Sequence, residues 1–398
     1  MSGGGRPEAR GREDGGLLPP GTAPLVALLR GGRARTRSEL AAETGLARST
    51  VSARVDQLVA TGLVAPAGDA PSTGGRPAAR LEFSPGARVL LAVELGATHG
   101  SVAVADLAGR ALDARTRALS IADGPGPVLD WVADAARELL APWSPGDLVG
   151  AGVGLPGPVE HATGRPVRPP IMPGWDGLDV PGEMVTRLAA RGVAPPALPV
   201  LVDNDVNLLA LGEHATAWAH EDDLLFVKVA TGIGAGVVSG GRLQRGAQGS
   251  AGDLGAVHVP AAGGRDGDHG GDLEALASGP AVASRLRARG REATTSRDVV
   301  ALVRRGDPLA VAEVRQAGRD LGEVLSTCVN LLNPGVLVVG GSLALAGEDL
   351  LAGVREVIYR RSTPLATRHL TIATPRSGPD GGLRGAALLV VQHVLDPA

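Results

Sequence analysis

The sequence predicts a two-part fold, a small winged helix-turn-helix followed by a larger α/β body. Three observations predict it. Apolar residues recur at helical spacing between about residues 23 and 58, a Gly-rich hairpin pattern follows, and from Val89 short apolar runs alternate with helical stretches. At 398 residues the chain exceeds one ordinary core, because domains usually hold roughly 100–200 residues.

The bulk composition sets limits on function. With 44% hydrophobic and 20% charged residues, the chain has enough apolar content to fold and enough charge to stay dissolved. Its single cysteine, Cys328, excludes a disulfide framework and a cysteine-based zinc site within one chain, and suits a reducing cytoplasm. Residues 1–22 read as a disordered leader, rich in Gly and Arg and lacking the apolar stretch of a signal peptide. No membrane association is expected. The net charge of −3 conceals an asymmetry: residues 1–85 carry eleven arginines against eight acids, and the remainder is −6. A basic head on an acidic body points the head toward an anionic polymer.

The head is expected over 23–84. A first helix over 23–30 places Leu25, Leu28 and Leu29 on one face. Ser38 is the expected cap of a second helix over 39–44, with Leu40 and Ala41 inward and Gly45 as its stop. A third helix over about 46–58 buries Val51, Val55 and Leu58, and the spacing of Ala41, Gly45 and Val51 is that of a helix-turn-helix. That stripe leaves Arg48, Ser49, Thr50, Ser52 and Arg54 on the face that would enter a major groove. After residues 62–64 the chain passes through a Gly-rich tip and returns over 79–83, a wing that places Arg76 for a minor groove. A double-stranded DNA operator is the expected partner.

The body is expected over 88–398, with strands at 89–94, 101–106, 148–154, 198–203, 224–230, 235–239 and 336–340. Gly-rich turns follow several of them. Asn204 and Asp205 follow a buried strand, at the end where α/β folds place their sites.

Six segments carry a resemblance to a known family: Glu94-Leu95-Gly96-Ala97-Thr98, residues 152–159, residues 202–207, Thr231-Gly232-Ile233-Gly234-Ala235-Gly236, residues 249–255 and residues 330–334. Together they make the chain similar to the ROK family (repressor, open reading frame, kinase), in its regulator branch with an N-terminal winged helix. The resemblance implies an actin-like ATPase fold of two α/β lobes, about 88–203 and 204–380, with a C-terminal helix over 383–396 returning to the first lobe. It implies a sugar at the bottom of the cleft, touched by Asn204, Asp205 and Asp253, and nucleotide turns at Gly96, Thr98, Thr231, Gly232 and Gly234. In the kinases the residue matching Asp205 is the general base.

Several positions depart from the kinase pattern. Glu94, Ala97 and His99 stand where the kinases have Asp, Gly and Lys, and Ala230 precedes Thr231 in place of Gly. Asp253 and Ala256 replace the Glu and His of the sugar motif, and His258 lies two residues too far along to substitute. The segment 265–272, matching the family's zinc-binding cysteines, contains none, so the structural zinc is expected to be lost; Asp266, Asp268, His269 and Asp272 read as a solvated loop. The expectation is a sugar-responsive regulator of carbohydrate genes, a repressor acting as a homodimer or tetramer with a sugar or sugar phosphate as its effector, without a cofactor. The alternatives are an active sugar kinase using ATP and Mg, with Asp205 catalytic, and a constitutive DNA binder with an empty cleft.

Overall fold

A computed structural model describes residues 17–69, 78–193, 195, 197–259 and 271–395. The chain divides into two compact units, residues 1–88 with 391–398 and residues 89–390.

The first unit runs α1 (Ala23–Arg30), β1 (Arg35–Thr36), α2 (Arg37–Thr44), α3 (Arg48–Ala60), β2 (Val64–Asp69) and β3 (Ala79–Phe83). Leu25 and Leu29 of α1, Leu40 of α2 and Val51, Val55 and Leu58 of α3 are buried, each such side chain contributing about 1.5–3 kcal/mol. The start of α2 differs from the expectation. Thr36, not Ser38, is the cap: its hydroxyl accepts the Glu39 N–H at 3.2 Å, and the Glu39 carboxylate accepts the Thr36 N–H at 2.7 Å. This reciprocal box satisfies two donors, whereas Ser38 is exposed. Gly45, at φ 71, ends the helix as expected. The strands form one sheet in the order β1-β3-β2, which completes a winged helix. Arg76 and the wing tip lie outside the described residues, as do residues 1–16 of the expected leader. Residues 17–22 correct that expectation: Thr22, just before α1, is buried and donates its hydroxyl to the Pro19 carbonyl at 2.6 Å.

The second unit contains two five-stranded sheets. The first holds β4 (Val89–Leu95), β5 (His99–Asp106), β6 (Ala111–Ala118), β7 (Leu148–Leu155) and β8 (Val200–Asn204); the second holds β9 (Leu224–Val229), β10 (Ile233–Ser239), β11 (Arg242–Gln244), β12 (Val336–Gly340) and β13 (Thr371–Ala373). The orders are β8-β7-β4-β5-β6 and β11-β10-β9-β12-β13. In each sheet the first three strands pair antiparallel and the last two add in parallel on the other side. One topology is thus used twice, as an actin-like fold requires. Strands β6, β11 and β13 are absent from the sequence expectation, and all three are sheet edges. Edge strands need no continuous apolar run, and β6 is exposed throughout.

Helices α4 (Pro125–Leu140) and α5 (Val180–Ala190) share a core with the first sheet. The helices Gly279–Ala288, Ser296–Arg304, Pro308–Leu332 and Glu348–Arg361 do the same for the second. Helix α6 (Asp205–Ala217) covers the other face of the second sheet, where Val206 and Ala210 meet Leu224, Phe226 and Val238. The helix Gly381–Leu395 returns to the first sheet at β7: a Cβ on Gly152 would lie 2.1 Å from the Ala386 carbonyl oxygen.

Candidate functional site

Between the lobes lies a cleft of ≈ 2290 Å³. Its floor is the passage from β8 into α6, where three consecutive polar side chains take different roles. Asp203 is buried and accepts hydrogen bonds from Asn207 Nδ2 at 2.7 Å and Arg245 Nε at 2.6 Å. Asn204 caps α6 by accepting the Val206 N–H at 2.8 Å, while its amide donates to the Gly157 carbonyl at 2.8 Å. Asp205, 5% exposed, is the first helical residue and lines the cleft. A carboxylate there is favoured by the positive end of the helix.

Asp205 faces a lysine from the second lobe. Lys228 on β9 places Nζ 2.5 Å from Asp205 Oδ2. The half-buried carboxyl of Glu94, at the end of β4, is pushed up to about 7 by burial and by the nearby charge of Asp205, with Lys228 opposing. The His99 imidazole is held below its ordinary value, by desolvation first and by Lys228 second. The His99 ring lies over Gly96, its Cε1 2.4 Å from where a Cβ on that glycine would stand. In the stretch Gly96 to Thr98, the exposed His99 thus leaves room for no side chain at Gly96.

The second glycine-rich stretch meets a carboxylate. Ile233 N–H, inside the stretch from Thr231 through Gly232 to Gly234, donates to Glu274 Oε2 at 3.1 Å. That carboxylate lies 2.8 Å from where a Gly232 Cβ would be. Asp253 is exposed and lines the cleft near Gly252 and Ser250. His258 is exposed and pairs through its backbone with Asp272. Residues 260–270, including Asp266, Asp268 and His269, lie outside the described residues. Among the described residues no group of three His, Cys, Asp or Glu side chains is placed to hold a metal, and no helix is long and apolar enough to cross a membrane.

In the first unit, Arg48 and Ser49 are exposed at the start of α3, and Thr50 is half-buried. Ser52 Oγ accepts from Arg37 of α2, whose Nη2 also reaches Asp56 Oδ1 at 2.7 Å. Arg54 lies against Gly21, its Nη2 2.6 Å from where a Cβ on that residue would stand. The structure thus leaves Arg48 and Ser49 outward and gives Ser52 and Arg54 neighbours of their own.

The sequence reading missed Lys228 and Glu274. A charge that interrupts the apolar run Leu224-Leu225-Phe226-Val227-Lys228-Val229, in the chain's only lysine, was a usable signal. Glu274 offered none, because its partner Ile233 lies 41 residues away.

Comparison with known proteins agrees with this arrangement. A family model described as "ROK family" matches residues 90–393, and one described as "MarR family" matches residues 22–71. The xylose repressor of Caldicellulosiruptor bescii is 25% identical over 383 residues, covering 90% of this chain and 92% of that protein. The glucokinase of Halalkalibacterium halodurans is 29% identical over 329 residues, covering 77% and 96%. A solved ROK family transcriptional regulator, homologous to the E. coli MLC protein, superposes with a TM-score of 0.78 at 25% identity, covering 94% and 96%. The repressor and the solved regulator extend through the winged helix; the glucokinase matches a shorter share of the chain. With a family model spanning the whole duplicated body and a winged helix ahead of it, this chain belongs to the ROK family.

Proposed function

We propose that the chain is a sugar-responsive, DNA-binding transcriptional repressor of carbohydrate genes, with its effector in the cleft between the lobes. One observation carries this reading: a winged helix that leaves Arg48 and Ser49 exposed precedes a kinase-type cleft that keeps Asp205 on its floor. Asp205, paired with Lys228, serves as a hydrogen-bond acceptor for a sugar hydroxyl, with Asp253 on the cleft wall. The names of the similar repressor and regulator support the same assignment.

The finer parts of the reading are a cytoplasmic protein, a homodimer or tetramer on a palindromic operator, and Arg48, Ser49 and Thr50 as base or phosphate contacts. A thiolate zinc site does not fit a chain whose only cysteine is Cys328, on the helix Pro308–Leu332. The ligand acts by preferring one arrangement of the lobes, which a few kcal/mol of differential affinity suffices to select.

Operator binding by the purified protein, with and without a panel of hexoses, pentoses and amino sugars, tests the proposal. A sugar-dependent change in affinity is expected. Absence of binding to DNA flanking its own gene at moderate salt sinks it. The kinase alternative rests on Asp205 and on the similar glucokinase; sugar-dependent ADP release abolished by Asp205→Asn would establish it.

A further inference from the structure

One side chain of α2 holds α3 at two successive turns. Arg37, the first residue of α2, donates from Nη1 to Ser52 Oγ and lies 3.4 Å from the Ser52 carbonyl oxygen, while its Nη2 donates to Asp56 Oδ1 at 2.7 Å. Ser52 and Asp56 are four residues apart, and Arg48 precedes Ser52 by four, so the three line one side of α3. The guanidinium fork grips the same line of residues that opens with the exposed Arg48.

Stability does not account for this arginine. The side chains of Arg37 and Asp56 are 42% and 65% exposed, and ion pairs so open to water add little to folding. A cation in the first turn of α2 also opposes the helix dipole. Asp56 is the sole acid of α3, on the helix that the regulator reading brings to a polyanion, where an unpaired carboxylate repels phosphate. What the contact supplies is direction. Val51, Val55 and Leu58 bury α3, but apolar burial is non-directional and sets rotation about the helix axis less sharply than hydrogen bonds do. Ala47 gives the start of α3 no side-chain cap, so the two points held by Arg37 are what fix its outer face.

We propose that Arg37 is a positioning residue for base reading: its grip on Ser52 and Asp56 sets the rotation of α3 and so decides which base edges Arg48 and Ser49 meet. Arg37 itself touches no base. Ser52 serves as an anchor in place of the base contact expected of it, and Asp56 is required despite its charge. The inference rests on the regulator reading and adds to it the source of sequence discrimination.

The test begins with the full chain selecting a preferred duplex from a random-sequence pool. Anisotropy titrations at several salt concentrations then compare that duplex with a scrambled one of equal length. Arg37→Ala is expected to lose about tenfold on the selected duplex, the worth of one base contact, with the scrambled affinity and the salt slope unchanged. Retained binding to the scrambled duplex shows that the head of the variant is folded. Arg37→Lys keeps the charge without the fork and should match Arg37→Ala. Asp56→Ala should weaken the selected duplex to a similar extent although it removes a repulsive charge, and the double variant should be no weaker than either single one. Equal loss on both duplexes, with the salt slope of log affinity reduced by about 0.9, makes Arg37 a phosphate contact and overturns the positioning role. Tighter binding by Asp56→Ala, or wild-type selectivity in the Arg37 variants, overturns it too. A wild-type chain that enriches no duplex sinks the regulator reading and this role with it, a result distinct from lost selectivity in the variants alone.

Discussion

Helices α3 and α6 both open with polar residues in the first turn, yet they close those turns in opposite ways. Helix α6 begins on Asn204, whose side chain caps it, and continues into Asp205, paired with Lys228. Helix α3 begins on Ala47, which has no side-chain cap, and continues into the exposed Arg48 and Ser49. The polar groups at one helix start are satisfied by the protein itself; at the other they are exposed. The difference teaches that similar polar openings of a helix can be closed within the fold, as at Asn204 and Asp205, or left to solvent, as at Arg48 and Ser49.

The comparison is most sharply tested at Asp203. Asp203→Ala leaves Arg245 and Asn207 without their shared acceptor at a buried position, and is expected to lower unfolding free energy by about 3–5 kcal/mol in denaturant titration. A loss below about 1 kcal/mol, the range of exposed pairs, would place the floor with the surface and break the contrast. The next effect is a pH dependence. Glu94 is held at about 7 against an ordinary 4.5, so between those values the unfolded chain releases a proton that the folded chain keeps. Stability therefore falls as pH rises through this window, by at most about 3 kcal/mol. Melting temperatures across pH 4.5–7 should show the fall, and Glu94→Gln should flatten it.

At the open helix, Arg48→Ala is expected to leave the melting temperature unchanged and to weaken operator binding by about 1–3 kcal/mol if a base contact is lost. A change in stability with no change in DNA affinity would reverse the roles given to the two helix starts. The smallest effect belongs to the head's own cap. Thr36→Ala removes the box at the start of α2 and should cost about 1 kcal/mol of stability, read by thermal melting of the full chain.

The head was legible because its signals are local. Apolar spacing placed α1 within its observed bounds and identified the buried stripe Val51, Val55 and Leu58. The Thr36 to Glu39 box was also present in the sequence, although Ser38 stood closer to the apolar run and drew the assignment. In the body, central strands such as β4 and β12 announced themselves as apolar runs, while the edge strands β6, β11 and β13 did not. The cleft was legible as positions and illegible as chemistry. Asn204 and Asp205 sit at the strand end where they were expected, but Lys228 and Glu274 reach the site from elements far away in sequence. Which donor meets which acceptor across 23 or 41 residues is set by how the sheets pack, and no local pattern encodes it.

The glycine seam beneath the last helix bears on how the chain is made. Gly150 and Gly152 of β7 receive Val390 and Ala386, and the backbone of Gly385 presses on Leu208 so closely that a Cβ there would stand 1.8 Å from the Leu208 carbonyl oxygen. Strand β7 leaves the ribosome early, and the whole second sheet is translated before the helix that covers it. The first lobe must accordingly persist as an uncovered intermediate during synthesis, exposing β7 until the 381–395 segment emerges. A nonsense codon anywhere in the second lobe would strand it in that state, a substrate for chaperones and proteases.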